Sequence, residues 1–416
     1  MPRDVGERAS RSTTSGKRPP RPEERCPSDN FVGSRLTESG ETPLASGPQL
    51  GTRLVGHGSP SASRYTDGMK AVVIEKQGGP VAGNIRSVRD WQAGEDGPGP
   101  GQVELRVLTS ALNHMDIWVG LGIPGVDLTY PRVSGCDCCA EVVRVGAGVD
   151  EAWLGRRVVV NAAVRQPERV HPDDPTGATL APEYRLIGEH EHGMHRESLC
   201  VPAANIACIG DADPVQSAAF GLVSLTAYSM MCTKGRLRPG QTVLITGIGG
   251  GVATIALSIA KWMGCRVAVT SRHQEKLDRA RELGADLGIL DEGQDWSREV
   301  RSWTAKRGVD MAVDSVGRPT HMNCIKSLAR GGAFVTPGNT GGPRVETDQA
   351  RIFWNQLRVL GSTMGTNDEW REVVALFRAG HIAPVVDSVI SWDRGAEAWA
   401  KLEAGEQFGK IVLDWR

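Results

Sequence analysis

Residues 134–140 read SGCDCCA and hold three of the chain's nine cysteines. Thiolates bind metals and attack electrophiles, so this run poses a choice between a metal site, a reactive thiol and plain packing. On a strand, Cys136 and Cys138 would share one face and Cys139 would take the other. A metal would then find two sulfurs at most, with His114 as a conceivable third ligand. That spacing matches no zinc pattern, and small thiols pack well in tight strands. The expectation is packed cysteines and no bound metal.

The second chemical signal is TVLITGIGGGVATIALSIAKWMG, a strand that runs through glycines into an amphipathic helix. Gly247 suits a tight turn, Gly250 and Gly251 let the backbone approach a pyrophosphate, and Val252 opens the helix. Unpaired N–H groups there would face the negative charge. With a strand next at Arg266–Thr270, the context is that of a dinucleotide site. Its second strand ends in Ser271 and Arg272, where a carboxylate would hold the ribose of NAD. A hydroxyl and a guanidinium, with Lys276 nearby, instead favour the 2′-phosphate of NADP, and NADPH over NADH. The alternative is a solvated arginine at a helix start.

These groups need a scaffold, and the order of elements supplies one. VELRVL, AEVVRVG and RRVVVN read as strands of a β-rich region between 69 and 208. From 209 to 365 strands and helices alternate, with TVLITG, CRVAVT, MAVDSVG and GAFVTPG as strands, which predicts an α/β fold with a doubly wound parallel sheet. A polar excursion at 163–195 reads as a long loop. Residues 1–68 lack apolar periodicity and are expected to be disordered, with Met69 a candidate initiator.

The formal net charge of −1 leaves no footprint for nucleic acid or an acidic membrane surface. No apolar run approaches the roughly 20 residues of a membrane span, and the start of the chain lacks the layout of a secretory signal. The remaining cysteines are scattered, so a reduced, cytoplasmic protein is expected.

From Met69 onward the chain resembles the medium-chain dehydrogenase/reductases, the superfamily of zinc-type alcohol dehydrogenases and zinc-free quinone oxidoreductases. The resemblance rests on ALNHMDIWVGLGIPG, GCDCCAEVVRVGAGV, AAFGLVSLTAYSMM, RPGQTVLITGIGGGVA, GVDMAVDSVG and GEQFGKIVL. It implies a GroES-like domain over 69–208 completed by 366–416, a Rossmann domain over 209–365, a cleft between them, and a homodimer. It also implies that Thr226, Ser315, Gly338 and Asn339 line the nicotinamide side and that Lys410 lies near the cofactor phosphates.

In the zinc enzymes of the family, Cys, His and Cys hold the catalytic metal. Here those positions resemble Asn113, Cys136 and Leu222, and Met115 stands where a relay hydroxyl would be. An amide is a poor zinc ligand and leucine is none. The expected activity is therefore zinc-independent transfer of hydride from NADPH to a quinone or an α,β-unsaturated carbonyl. Asn113 is a candidate hydrogen-bond donor to the carbonyl or the ribose, and His114 and Asp116 are candidate proton donors. Asp116 also suits capping the following helical turn. The alternatives are a zinc alcohol dehydrogenase with rearranged ligands and a non-catalytic dinucleotide-binding protein. Trp118, Ile123, Tyr130, Phe353 and Trp354 point either to a hydrophobic substrate or to packing at an interface. Small hydrophobic acceptors are the expected partners, with no nucleic acid and no membrane.

Overall fold

The computed structural model describes residues 68–92, 97–164, 179–181 and 184–416. The expected disordered extension lies outside the described residues except for Gly68, as does the middle of the polar excursion. All described residues fall in one compact unit.

The β-rich region builds a sheet ordered Ile206–Cys208, Arg157–Val160, Cys138–Val145, Gln102–Ala111, Lys410–Asp414 and Val386–Ser391, with Ser198–Pro202 also on Gln102–Ala111. The last two strands come from the C-terminal stretch. Lys410–Asp414 runs antiparallel to Gln102–Ala111, with Val412 opposite Ala111, and parallel to Val386–Ser391. This return places Lys410 beside the segment that carries Asn113. The strand at the cysteine run begins at Cys138, so Cys136 sits in the bend before it, and the shared face expected for Cys136 and Cys138 is not formed. Gly135, at φ +105°, makes that bend.

The second large sheet is all parallel, ordered Leu287–Leu290, Arg266–Ser271, Thr242–Ile245, Val309–Val313, Leu328–Thr336 and Arg358–Gly361. Chain order reverses beside Thr242–Ile245, which puts the glycine turn at the crevice where such sheets bind ligands. The two outermost strands are additions to the four read from sequence.

Helix Pro214–Tyr228 packs on Gln102–Ala111 and Cys138–Val145 and on helix Gly251–Trp262. Asp213 caps it by accepting the Gln216 N–H at 2.9 Å, and Pro214 opens it where no N–H is needed. Over Pro214–Lys234 this segment is long and apolar enough to cross a membrane, contrary to the linear reading. It is a core helix here, with 72% of its apolar window buried.

Candidate active site

Between the ends of the parallel strands and the loops of the first sheet lies a cleft of about 710 Å³. Its floor is the glycine turn, where Gly247, Gly250, Gly251 and Val252 all face the cavity. Gly247 has φ +63°, and a β-carbon there would stand 2.7 Å from the Val316 side chain. A β-carbon on Gly250 would meet nothing nearer than 3.8 Å, so this position is open to an incoming group. Helix Gly251–Trp262 begins there, with its first-turn N–H groups available to an anion. At Gly251 a β-carbon would also press on Lys410 at 2.8 Å and Val223 at 3.0 Å.

Ser271, Arg272 and Lys276 line one end of the cleft, and Thr226, Ser315 and Gly338 line another part. Lys276 donates to the Gly405 carbonyl at 2.6 Å. Burial, and then the neighbouring Arg272 charge, pull its ammonium below the usual lysine range. Asn339 is not among the lining residues; its carbonyl accepts the Gly342 N–H in a turn.

A closed polar network stands beside the cleft. Lys410 Nζ donates to Asn113 Oδ1 at 2.5 Å and to Asp137 Oδ2 at 2.9 Å. Asn113 Nδ2 donates to the same Asp137 oxygen at 2.8 Å, and Leu222 N–H donates to Asp137 Oδ1 at 2.6 Å. The Lys410 and Asp137 side chains are only 3% and 0% exposed. Gly221 makes room for the carboxylate, since a β-carbon there would lie 2.1 Å from Asp137 Oδ1.

Residues 99–211 match the alcohol dehydrogenase GroES-like domain, and residues 251–379 match the zinc-binding dehydrogenase family. A zinc-type alcohol dehydrogenase-like protein, YogA, of Leptosphaeria maculans is 30% identical over 338 residues, covering 76% of this chain and 91% of that protein. The chain belongs to the medium-chain dehydrogenase/reductase superfamily. This dehydrogenase/reductase is thus an oxidoreductase of a dinucleotide-binding family. Acryloyl-coenzyme A reductase of Metallosphaera sedula is 28% identical to it over 357 residues, covering 83% of this chain and 99% of that one. A crystal structure of an NAD-dependent alcohol dehydrogenase superposes with a TM-score of 0.77 at 35% identity, covering 84% of this chain and 100% of that one.

The glycine cradle of this dehydrogenase/reductase fits a dinucleotide, and its zinc position does not fit zinc. Both ends of the Asn113 amide are taken by Lys410 and Asp137, and Leu222 contributes only its N–H. Cys136 is buried, and its thiol donates to the Ile187 carbonyl at 2.8 Å with Met115 Sδ at 3.4 Å. Burial, then the Asp116, Asp137 and Glu189 carboxylates, push that thiol well up, so it stays protonated. Cys138 and Cys139 are buried free thiols as well. Among the described residues no three His, Cys, Asp or Glu side chains are placed to hold a metal.

Of the three candidate catalytic residues, Asn113 and His114 line the cleft and Asp116 does not. Asp116 instead closes a capping box at the start of helix His114–Leu121, accepting the Asn113 N–H at 2.7 Å. It is fully buried, with His195 Nε2 at 3.5 Å. Burial alone would raise its pKa, but the nearby His195 and the hydrogen bond from the Asn113 N–H hold it below the usual range. His114 lies exposed at the rim with its ring edge-on to Trp118, and desolvation lowers its pKa against the pull of Asp116. The Asn113 amide is held between Lys410 and Asp137, and the Lys410 ammonium, which also lines the cleft, bonds to both of them.

Of the aromatic and apolar candidates, Trp118 lines the cleft, whereas Phe353 and Trp354 stand on the outer surface, 66% and 69% exposed. Ile123 and Tyr130 are not lining residues; the Tyr130 hydroxyl donates to the Val119 carbonyl. Sequence reasoning missed Asp137, Tyr184 and Glu189. The glycine inside helix Pro214–Tyr228 was the one available signal for Asp137, because a helix interior accepts glycine at a cost unless something packs against it.

Proposed function

We propose that this dehydrogenase/reductase is an NADPH-dependent, zinc-independent reductase of quinones or α,β-unsaturated carbonyl compounds. The observation that carries the reading is the Lys410–Asp137–Asn113 network. It sets a fixed ammonium directly against Asn113, one of the three metal-ligand positions, and a carboxylate against Leu222, another, so that a second cation there would face the ammonium's repulsion. When bound, the dinucleotide supplies hydride. The chain's part is to hold its pyrophosphate on the glycine turn and to keep a dry, apolar wall of Leu112, Met115, Trp118 and Leu222 around the acceptor. Arg272 and Lys276, two neighbouring cations at the ribose end, support NADP, because a 2′-phosphate would relieve their mutual repulsion. The 28% identical acryloyl-coenzyme A reductase supports an activated alkene as acceptor.

We further propose a cytoplasmic homodimer. The exposed Phe353 and Trp354 beside the edge strand Arg358–Gly361 support pairing through the parallel sheet.

The test is NADPH oxidation, followed at its absorbance, with quinones, enals, enones and enoyl thioesters, alongside metal analysis of the purified protein. Turnover of at least one of these acceptors by metal-free enzyme is expected. Stoichiometric zinc that is lost together with activity would overturn the reading.

A further inference from the structure

We propose that the Tyr184 phenol is the hydrogen-bond donor to the substrate's carbonyl oxygen, in the role that a Lewis-acid metal fills elsewhere. This rests on the reading of the cleft as a carbonyl-dependent reduction site. Tyr184 lines the cleft together with Asn113 and Leu222, two of the residues at the zinc-type ligand positions, and Met115. Its hydroxyl is buried, yet it has no hydrogen-bond partner among the described residues. Such a group costs about 1–3 kcal/mol, so an orphan facing a ligand cavity asks for a partner that the ligand brings.

The polypeptide holds the ring in place from several sides. Its own N–H donates to the Ala181 carbonyl at 3.0 Å, and the next residues form strand Arg185–Leu186, paired with Ala163–Val164. The His190 ring meets it edge-on with centroids 6.4 Å apart. Burial, then the nearby Cys136 and Glu189, push the phenol far above its ordinary range, so it remains a donor throughout the working pH range.

Two donors on the same wall already have acceptors. The Asn113 amide and the Lys410 ammonium bond to each other and to Asp137. Glu189, also on the cleft wall, is pushed upward by its own burial against the pull of His190 and Arg132. As the substrate's β-carbon takes up hydride from the reduced dinucleotide, the alkene's electron pair moves onto the carbonyl oxygen. The proton that completes saturation comes from water. A fixed donor at that oxygen strengthens as the charge develops, which is the condition for lowering the barrier.

The experiment uses the full chain with Tyr184→Phe, which keeps the ring and removes only the hydroxyl. With NADPH and 2-cyclohexen-1-one, kcat should fall about 100-fold or more while KM for NADPH stays unchanged. A kcat within threefold of wild type overturns the proposal. A second readout needs no turnover: the carbonyl stretch of cyclohexanone bound to NADP⁺-loaded protein. It should be shifted to lower frequency in wild type and return towards its unbonded value in Tyr184→Phe; equal shifts in both proteins overturn the proposal. If wild type reduces no enone or quinone, the proposed function falls, and the ketone shift alone decides the phenol's role. Failure of any ketone to bind removes both.

Discussion

Asp137→Asn is the sharpest probe of the network that stands at the zinc position. The replacement is nearly isosteric, and its oxygen can keep the Leu222 N–H that now sits 2.6 Å from Asp137 Oδ1. The other end of the new amide would point an NH2 group at two donors, Lys410 Nζ at 2.9 Å and Asn113 Nδ2 at 2.8 Å. Flipping the Asn113 amide relieves one clash and takes its oxygen away from Lys410, so no arrangement satisfies every group. The ammonium, 3% exposed, would be left buried without a counter-charge. Breaking a buried pair this way costs about 3–5 kcal/mol. At about 2–4 °C per kcal/mol this lowers the melting temperature by roughly 6–20 °C, to be read by scanning calorimetry. Lys410→Met should cost a similar amount by stranding the carboxylate. The double variant Asp137→Asn/Lys410→Met, with no charge left, should melt above both singles. A single variant within about 2 °C of wild type, or a double whose loss is the sum of the two, would show that the pair is not coupled as the geometry requires.

Arg272→Ala should raise KM for NADPH about 10–100-fold and leave KM for NADH within about twofold, since charge-assisted bonds of 1.5–3 kcal/mol are lost only with the phosphate; equal effects on both cofactors in steady-state kinetics would remove the NADP assignment. Asp116→Asn should cost about 1–3 kcal/mol at pH 7. Because the native carboxyl is held below its unfolded value, that advantage exists above about pH 4 and is lost as pH falls through the folded pKa, so urea unfolding curves of the two proteins should draw together as the pH is lowered below about 4. A gap unchanged across that range would mean that the cap alone, not the charge, is what Asp116 contributes. Trp354→Asp should turn a sedimenting dimer into a monomer without loss of secondary structure, and a variant that still sediments as a dimer places the interface elsewhere.

The glycine turn was readable because everything it needs is local: strand Thr242–Ile245, the turn and helix Gly251–Trp262 are consecutive. Ser271 and Arg272 were readable for the same reason, lying at the end of the next strand. The zinc position was legible as a set of mismatched residues, but its filling was not. Lys410 and Asp137 are 273 residues apart, and nothing in either neighbourhood announces the other. Asp137 was hidden inside a cysteine run that drew attention to its sulfurs. Asp116 read equally well as an acid and as a cap, and only its burial against His195 decides. Strands Leu287–Leu290 and Arg358–Gly361 went unread because edge strands of four residues with half-buried side chains carry little periodicity. Tyr184 and Glu189 come from the polar excursion, where pattern reading has no purchase.

The insertion of Lys410–Asp414 beside Gln102–Ala111 also has a consequence for how the protein is made. On the ribosome, Asn113 emerges 297 residues before Lys410, and the intervening chain includes the whole parallel sheet. The parallel sheet can therefore assemble while the first sheet still has one edge open and Asp137 has no cation. The first sheet closes last, on a late-arriving strand, and until then the Thr109–Ala111 end of Gln102–Ala111, beyond the stretch paired with Ser198–Pro202, offers free backbone groups to any passing chain. Slow translation or missing chaperone cover should therefore damage this β-rich half first, with the dinucleotide-binding half already folded.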